Sequence, residues 1–221
     1  MTKVKICGIT ERRHALAAAE ADFIGLVFAP SRRQVSVARA REIILAVKGR
    51  KRRKKRKPLV VGVFVNAPAS EVNRISEYCG LDWVQLNGDE PWDYLREIER
   101  PVIKAIRVRS QQGSEDVIAE LALGYQILGL DGFTCLLDCH VEGSYGGTGQ
   151  TFDWRLARQV SARFPVIIAG GLSPENVGEA IRLARPWGVD VSSGVESEGV
   201  KDISKIKSFI ETVREADEDI K

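Results

Sequence analysis

The chain reads as an α/β protein closed into a single-domain (β/α)8 barrel, the TIM-barrel architecture, on three observations. Apolar runs of strand length alternate with amphipathic helical stretches from one end to the other. Eight such units can be counted, each strand followed by a helix, which argues for a closed barrel over an open doubly wound sheet. Most of the runs are apolar at consecutive positions, as expected of strands covered on both faces. The 221 residues, 44% hydrophobic and 29% charged, are enough for one such domain over residues 1–221.

The first strand is VKICG (4–8), and the alanine-rich stretch Arg12–Ala21 behind it has helical character. FIGLVF (23–28) and Ser36–Val47 make the second unit, LVVGVFV (59–65) and Ala69–Tyr78 the third, and WVQL (83–86) with Trp92–Glu99 the fourth. VIKAIRV (102–108) precedes the helical pattern Glu115–Leu123, and TCLLD (134–138) precedes Phe152–Arg163. VIIAG (166–170) leads to Pro174–Leu183, whose start carries Ser173 as a capping hydroxyl, Pro174 at the first helical position and Asn176 at the third. VDVSS (189–193) and Ile203–Ala216 complete the eighth unit.

The formal net charge of +3 conceals two unlike parts. Nine of the ten residues from Lys48 to Lys57 (KGRKRRKKRK) are basic, which leaves the rest of the chain with 24 basic against 30 acidic residues and a formal charge of −6. Such a run can bind nucleic acid or an anionic surface, but it lacks interleaved aromatics; the expectation is a solvated basic loop at about 48–58 and no nucleic-acid partner. Cys7, Cys79, Cys135 and Cys139 have neither paired CxxC spacing nor the density of a disulfide scaffold, and no run nears the roughly 18 apolar residues of a membrane span. The chain is therefore expected to be cytoplasmic and to have no membrane partner. His14 and His140 are the sole histidines and join no His/Cys cluster, so no metal site is expected.

In such a barrel the chemistry sits at the C-terminal ends of the strands and in the loops that follow, while the opposite face serves stability. Cys7 ends the first strand, where helix dipoles or a cation can lower a thiol's pKa and supply a thiolate base or nucleophile; the alternative is a buried structural cysteine. Asp138 ends the sixth strand, where burial can raise a carboxyl toward general-acid use; the alternatives are a loop cap, or His140 as the acid. Gly146-Gly147-Thr148-Gly149, Ala169-Gly170-Gly171 and Ser192-Ser193-Gly194 follow the sixth, seventh and eighth strands, and small residues let backbone N–H groups approach phosphate oxygens. Gly147, Thr148, Gly170, Gly171, Ser193 and Gly194 are thus the phosphate-binding candidates, with backbone donors because these loops offer no lysine or arginine. The expected partner is a small phosphorylated substrate, and the basic run falls on the face away from it.

KICGIT (5–10), DWVQLNGDE (82–90), Leu137-Asp138, GGTG (146–149), AGGL (169–172) and DVSSGVE (190–196) together resemble the signature segments of the phosphoribosylanthranilate isomerase family, in the right order and over essentially the whole chain. The resemblance implies an Amadori rearrangement of N-(5-phosphoribosyl)anthranilate to 1-(2-carboxyphenylamino)-1-deoxyribulose 5-phosphate, with neither metal nor redox cofactor. Asp138 would protonate the ribose ring oxygen and open the ring to a Schiff base, and Cys7 would remove the C2 proton. Arg33, in a stretch similar to the family's S-x-R-x-V, would pair with the anthranilate carboxylate. Gln85, Asn87 and Asp190 would be further substrate-binding residues.

The chain departs from the family's habit at three places: Asn87 stands where histidine is common, Arg32 where proline or lysine is more usual, and the basic run has no usual counterpart. A related isomerase of histidine biosynthesis resembles this family but has aspartate at the position of Cys7. A non-catalytic phosphate- or RNA-binding barrel is the alternative of another class, and would bind nucleic acid with a steep salt dependence. The assembly expected is a monomer or a homodimer.

Overall fold

Eight parallel strands close into a barrel in chain order: β1 (Lys3–Ile6), β2 (Phe23–Val27), β3 (Leu59–Phe64), β4 (Trp83–Leu86), β5 (Val102–Arg107), β6 (Phe133–Asp138), β7 (Val166–Ala169) and β8 (Gly188–Val191). The circle shuts where β8 pairs with β1, Lys5 opposite Asp190 and Ile6 opposite Val191. This is a computed structural model, and it describes residues 1–49, 57–109, 112–129, 132–138 and 154–220. Most of the basic run (50–56), together with Cys139, His140 and the GGTG segment, lies outside the described residues.

The helices around the barrel are α1 (Arg12–Ala17), α2 (Val37–Lys48), α3 (Ala69–Cys79), α4 (Ser114–Leu128), α5 (Trp154–Ser161), α6 (Val177–Ala184) and α7 (Ile203–Asp219). Their starts follow local chemistry. Ser36 accepts the Arg39 N–H in front of α2, and Asp202 accepts the N–H groups of Ser204 and Lys205 in front of α7. Among the described residues no helix is long and apolar enough to cross a membrane.

Side chains alternate across a strand, so each strand feeds two cores. One side packs outward under the helices through residues such as Ile6, Ile24 and Leu86, which share a core with helix residues such as Phe209 of α7. The other fills the barrel with Phe23, Val61, Ile103, Ala105, Leu136, Ile167 and Ala169. Phe23 meets Trp83 and Trp187 at ring-centroid distances of 5.9 and 6.0 Å, and these aromatics plug the N-terminal end of the barrel.

Three helical expectations are corrected. Trp92–Glu99 is a short 310 helix, Trp92–Glu97, because it is confined between Pro91 and Pro101; proline at 101 disfavours helical backbone at Arg100. The helix expected to stop at Leu123 runs on to Leu128, and Gly124 inside it is a packing position, since a Cβ there would lie 2.6 Å from the Trp92 ring. Ser173 does not open α6 as a capping hydroxyl: residues 174–176 form a turn first, and it is the Asn176 side chain that accepts the Ser173 N–H at 2.8 Å.

Candidate active site

Cys7 directly follows β1, with its N–H bonded to Val191 O at 2.8 Å and its carbonyl accepting from Ser192 Oγ at 3.3 Å. It is two residues beyond Lys5 and on the same, inner face. Both side chains lie over Gly25 of β2: a Cβ at that glycine would fall 2.8 Å from the Cys7 sulfur and 3.1 Å from Lys5 Nζ. Lys5, 1% exposed, is ion-paired with Asp190 at 3.1 Å, and its ammonium lies over the same glycine as the Cys7 sulfur. Burial pushes the Cys7 thiol above its ordinary pKa, and the pull of Lys5 and Lys201 in the other direction does not overcome it. The depressed thiol expected from the mouth position alone is thus corrected: the thiol is only 8% exposed, and loss of hydration outweighs the cations.

Asp138 ends β6, half-buried, between Arg107 of β5 and Ala169 of β7 in the register. It stands two residues past Leu136 of the inner core and so presents to the barrel mouth. In the barrel order only β7 and β8 separate its strand from that of Cys7. Gln85, 3% exposed, is also an inward residue, in register with Ile103, and its Nε2 donates to Asn87 Oδ1 at 2.7 Å. Among the described residues Gln85 Oε1 has no hydrogen-bond partner. Asn87 is held at the strand end by its N–H to Phe64 O and by Arg107, which donates to its carbonyl at 2.8 Å.

Arg33 reaches across from the loop after β2 to the loop after β8. Its stem crosses Gly8, where a Cβ would meet Arg33 Cδ at 2.5 Å, and its guanidinium grips Glu196 through Nε at 2.7 Å and Nη2 at 3.0 Å. Arg32 touches the same carboxylate from the outside, with its side chain 58% exposed against 23% for Arg33. Lys201 completes the cluster: nearly buried, it donates to Glu196 Oε1 and to Ser192 O, both at 2.8 Å. Burial works against the charge on Glu196, but the hydrogen bonds from Arg33 and Lys201 outweigh it and hold the carboxyl below its usual range. Burial lowers Lys201, which Glu196 offsets only in part.

The last two loops of the barrel are stacked. A Cβ at Gly194 would lie 1.9 Å from Leu172 O, so the loops after β7 and β8 meet backbone to backbone. Gly170 and Gly171 have φ of +94° and +65°, and Asn176 Nδ2 ties down the carbonyl of Gly171 at 2.9 Å. Gly171 and Ser193 are exposed here, while Gly147 and Thr148 lie outside the described residues. The expectation that no cation serves these loops is amended by Lys201, which comes from the two-residue strand β10 (Val200–Lys201), paired antiparallel with β9 (Glu196–Ser197), and sits behind Ser192.

Gly25, Glu196 and Lys201 are the residues that sequence reasoning missed. Gly25 carried a signal, since a glycine inside an apolar strand marks a close approach. Glu196 lay within a quoted motif but had no visible partner, and a lone lysine beyond the motif had no signal at all.

A closed (β/α)8 barrel with a thiol, a carboxyl and stacked glycine loops at one mouth has the layout of the barrel enzymes, whose sites are built at the C-terminal ends of the strands. A family model described as N-(5'-phosphoribosyl)anthranilate isomerase matches residues 4–212. A relative of that name from Dehalococcoides mccartyi is 48% identical over 219 residues, covering 98% of each chain. The crystal structure of phosphoribosyl anthranilate isomerase from Thermotoga maritima superposes with a TM-score of 0.80 at 40% identity, covering 97% of this chain and 100% of that one. Another solved isomerase, in complex with reduced 1-(o-carboxyphenylamino)-1-deoxyribulose 5-phosphate, gives a TM-score of 0.78 at 38% identity over the same shares. The chain belongs to the N-(5'-phosphoribosyl)anthranilate isomerase family.

Proposed function

We propose that the chain catalyses the Amadori rearrangement of N-(5-phosphoribosyl)anthranilate to 1-(2-carboxyphenylamino)-1-deoxyribulose 5-phosphate, the isomerisation step of tryptophan biosynthesis. The carrying observation is that Cys7 and Asp138 stand at the C-terminal ends of β1 and β6 on the inner face of one barrel, beside the stacked glycine loops. Asp138 gives its proton to the ribose ring oxygen as the C1–O bond breaks, leaving a Schiff base. Cys7, as thiolate, takes the proton from C2; the electron pair moves into the C1–C2 bond and on to nitrogen, forming an enolamine. Proton gain at C1 and loss from the C2 hydroxyl then give the ketone.

Arg33 receives the anthranilate carboxylate, with Glu196 fixing its guanidinium. Gln85, Asn87 and Asp190 are substrate contacts; Gln85 Oε1, buried and without a partner among the described residues, is an acceptor for a substrate hydroxyl or amine. Gly147, Thr148, Gly170, Gly171, Ser193 and Gly194 hold the phosphate through backbone N–H groups. The unpaired, buried thiols of Cys7, Cys79 and Cys135 fit a cytoplasmic setting.

The test supplies freshly generated phosphoribosylanthranilate and follows the loss of its fluorescence, with the related substrate of histidine biosynthesis in parallel. Turnover of the first alone is expected. Cys7→Ser and Asp138→Asn should each cut kcat by ~10²-fold or more with KM within a few-fold, the usual worth of general acid or base assistance. A Cys7→Ser variant that kept more than about half of wild-type kcat would remove Cys7 as the base.

A further inference from the structure

Lys5 and Asp190 form an ion pair inside the barrel, at the same level of the register, in surroundings otherwise filled by residues such as Phe23, Val61 and Ile167. A pair this far from water is poor evidence of stabilisation, because apolar residues of similar volume commonly do as well or better. Packing therefore gives no reason for the lysine. Its ammonium does have a second neighbour, the Cys7 sulfur, which it meets over the bare backbone of Gly25.

We propose that Lys5 is a positioning residue for Cys7: tethered by Asp190, its ammonium is the fixed counter-ion of the thiolate that takes the C2 proton. This rests on the reading of Cys7 as the base. In the step, the S–H bond forms as the C2–H bond breaks, and Lys5 keeps its proton throughout. Other charges face the thiol too. Asp190 of β8 opposes its ionisation and Lys201 of β10 favours it, while Arg33, from the loop after β2, is a further cation in its field. Arg33 and Lys201 are both engaged by Glu196. Lys5 is the cation that shares the space over Gly25 with the sulfur, and burial that would strip its charge is overcome by the attraction of Asp190 and Cys7, which holds its pKa above the ordinary lysine value.

The test is Lys5→Met, read by the rate at which iodoacetamide labels the Cys7 peptide across the neutral and alkaline range, and by the pH profile of kcat/KM. Labelling at neutral pH should slow by about tenfold or more, the effect of removing one close opposite charge, and the acid limb of kcat/KM should move to higher pH so that activity recovers on alkalinisation. A merely structural lysine would lower activity equally at every pH. Because Lys5→Met leaves Asp190 buried without its cation, the double variant Lys5→Met/Asp190→Asn, neutral and close in volume, provides the same reading in a fold without that penalty. It too should label more slowly than wild type, since Lys5 is the charged group that lies with the sulfur over Gly25. Wild-type labelling and an unmoved acid limb in the folded single variant, or in the double variant if the single one does not fold, would overturn the proposal. If Cys7→Ser were meanwhile inactive, only the role of Lys5 would fall; if Cys7→Ser were active, the reading of Cys7 as base would fall instead.

Discussion

At the scale of single residues, Gly25 decides how close the thiol and the ammonium can stand to β2. An alanine there would put a methyl group 2.8 Å from the sulfur, which no ordinary contact allows, so the Cys7 side chain has to swing away. Gly25→Ala should therefore lower kcat by about tenfold or more, as misplacement of a reacting group by some 1 Å can, and cost about 1–3 kcal/mol of stability from overpacking. Steady-state kinetics beside a denaturant titration separate the two, and a Gly25→Ala enzyme with wild-type kcat would refute the packing argument. Gly171 makes the contrasting case. It has open space around it but a φ of +65°, so a valine there should strain the loop and raise KM sharply while leaving kcat nearly unchanged. The residue types at both places were visible in the chain. What each glycine had to clear, the Cys7 sulfur in one case and nothing but its own backbone conformation in the other, was not.

At the scale of elements, the loop after β8 and the loop after β2 are joined by one carboxylate. Glu196 takes Arg33, Arg32 and Lys201 together, and Lys201 in turn holds the Ser192 carbonyl. Glu196→Gln should loosen Arg33 and raise KM several-fold, and should cost about 3–5 kcal/mol because it leaves the nearly buried Lys201 without its counter-ion. The pH dependence of that cost has a definite sign. The folded-state pKa of Glu196 is depressed, so the folded protein binds fewer protons there than the unfolded chain; the stabilisation is fully present above the unfolded value of about 4.3 and is lost as pH falls through the folded one. Unfolding midpoints of wild type and Glu196→Gln should thus differ most near neutrality and converge in acid, and a constant gap would contradict this account. Elements with a local cause were legible in the chain: Ser36 starts α2, and the alternation of apolar runs and helical patterns located all eight strands. The 310 helix at Trp92–Glu97 and the extension of α4 past Gly124 were not, because Pro91, Pro101 and the Trp92 ring act on them together.

At the scale of the whole molecule, the described ends of the basic run, Lys48 of α2 and Lys57 ahead of β3, lie away from the strand ends that carry Cys7 and Asp138. Lys48, at the end of α2, donates to Gly80 O at 2.7 Å and to Asp82 Oδ1 at 2.8 Å, just ahead of β4, on the face opposite Cys7 and Asp138. Replacing residues 50–56 with a Gly/Ser linker should leave kcat/KM within about tenfold of wild type, a change of less than ~1.4 kcal/mol in transition-state stabilisation. A larger loss would mean that the run reaches the mouth, and steeply salt-dependent RNA binding abolished by the same replacement would revive a nucleic-acid partner. The sequence by itself determined the barrel, the strand ends that carry Cys7 and Asp138, and the glycine loops, because periodicity and small residues at strand ends are local properties of a chain. Only the tertiary structure decided that Lys5 meets Asp190 185 positions away, that Arg33 is gripped by Glu196, and that burial raises the Cys7 thiol where position alone suggested the reverse. Those outcomes depend on which strands become neighbours when the barrel closes and on how much water closure removes, and neither is written in any one stretch of residues.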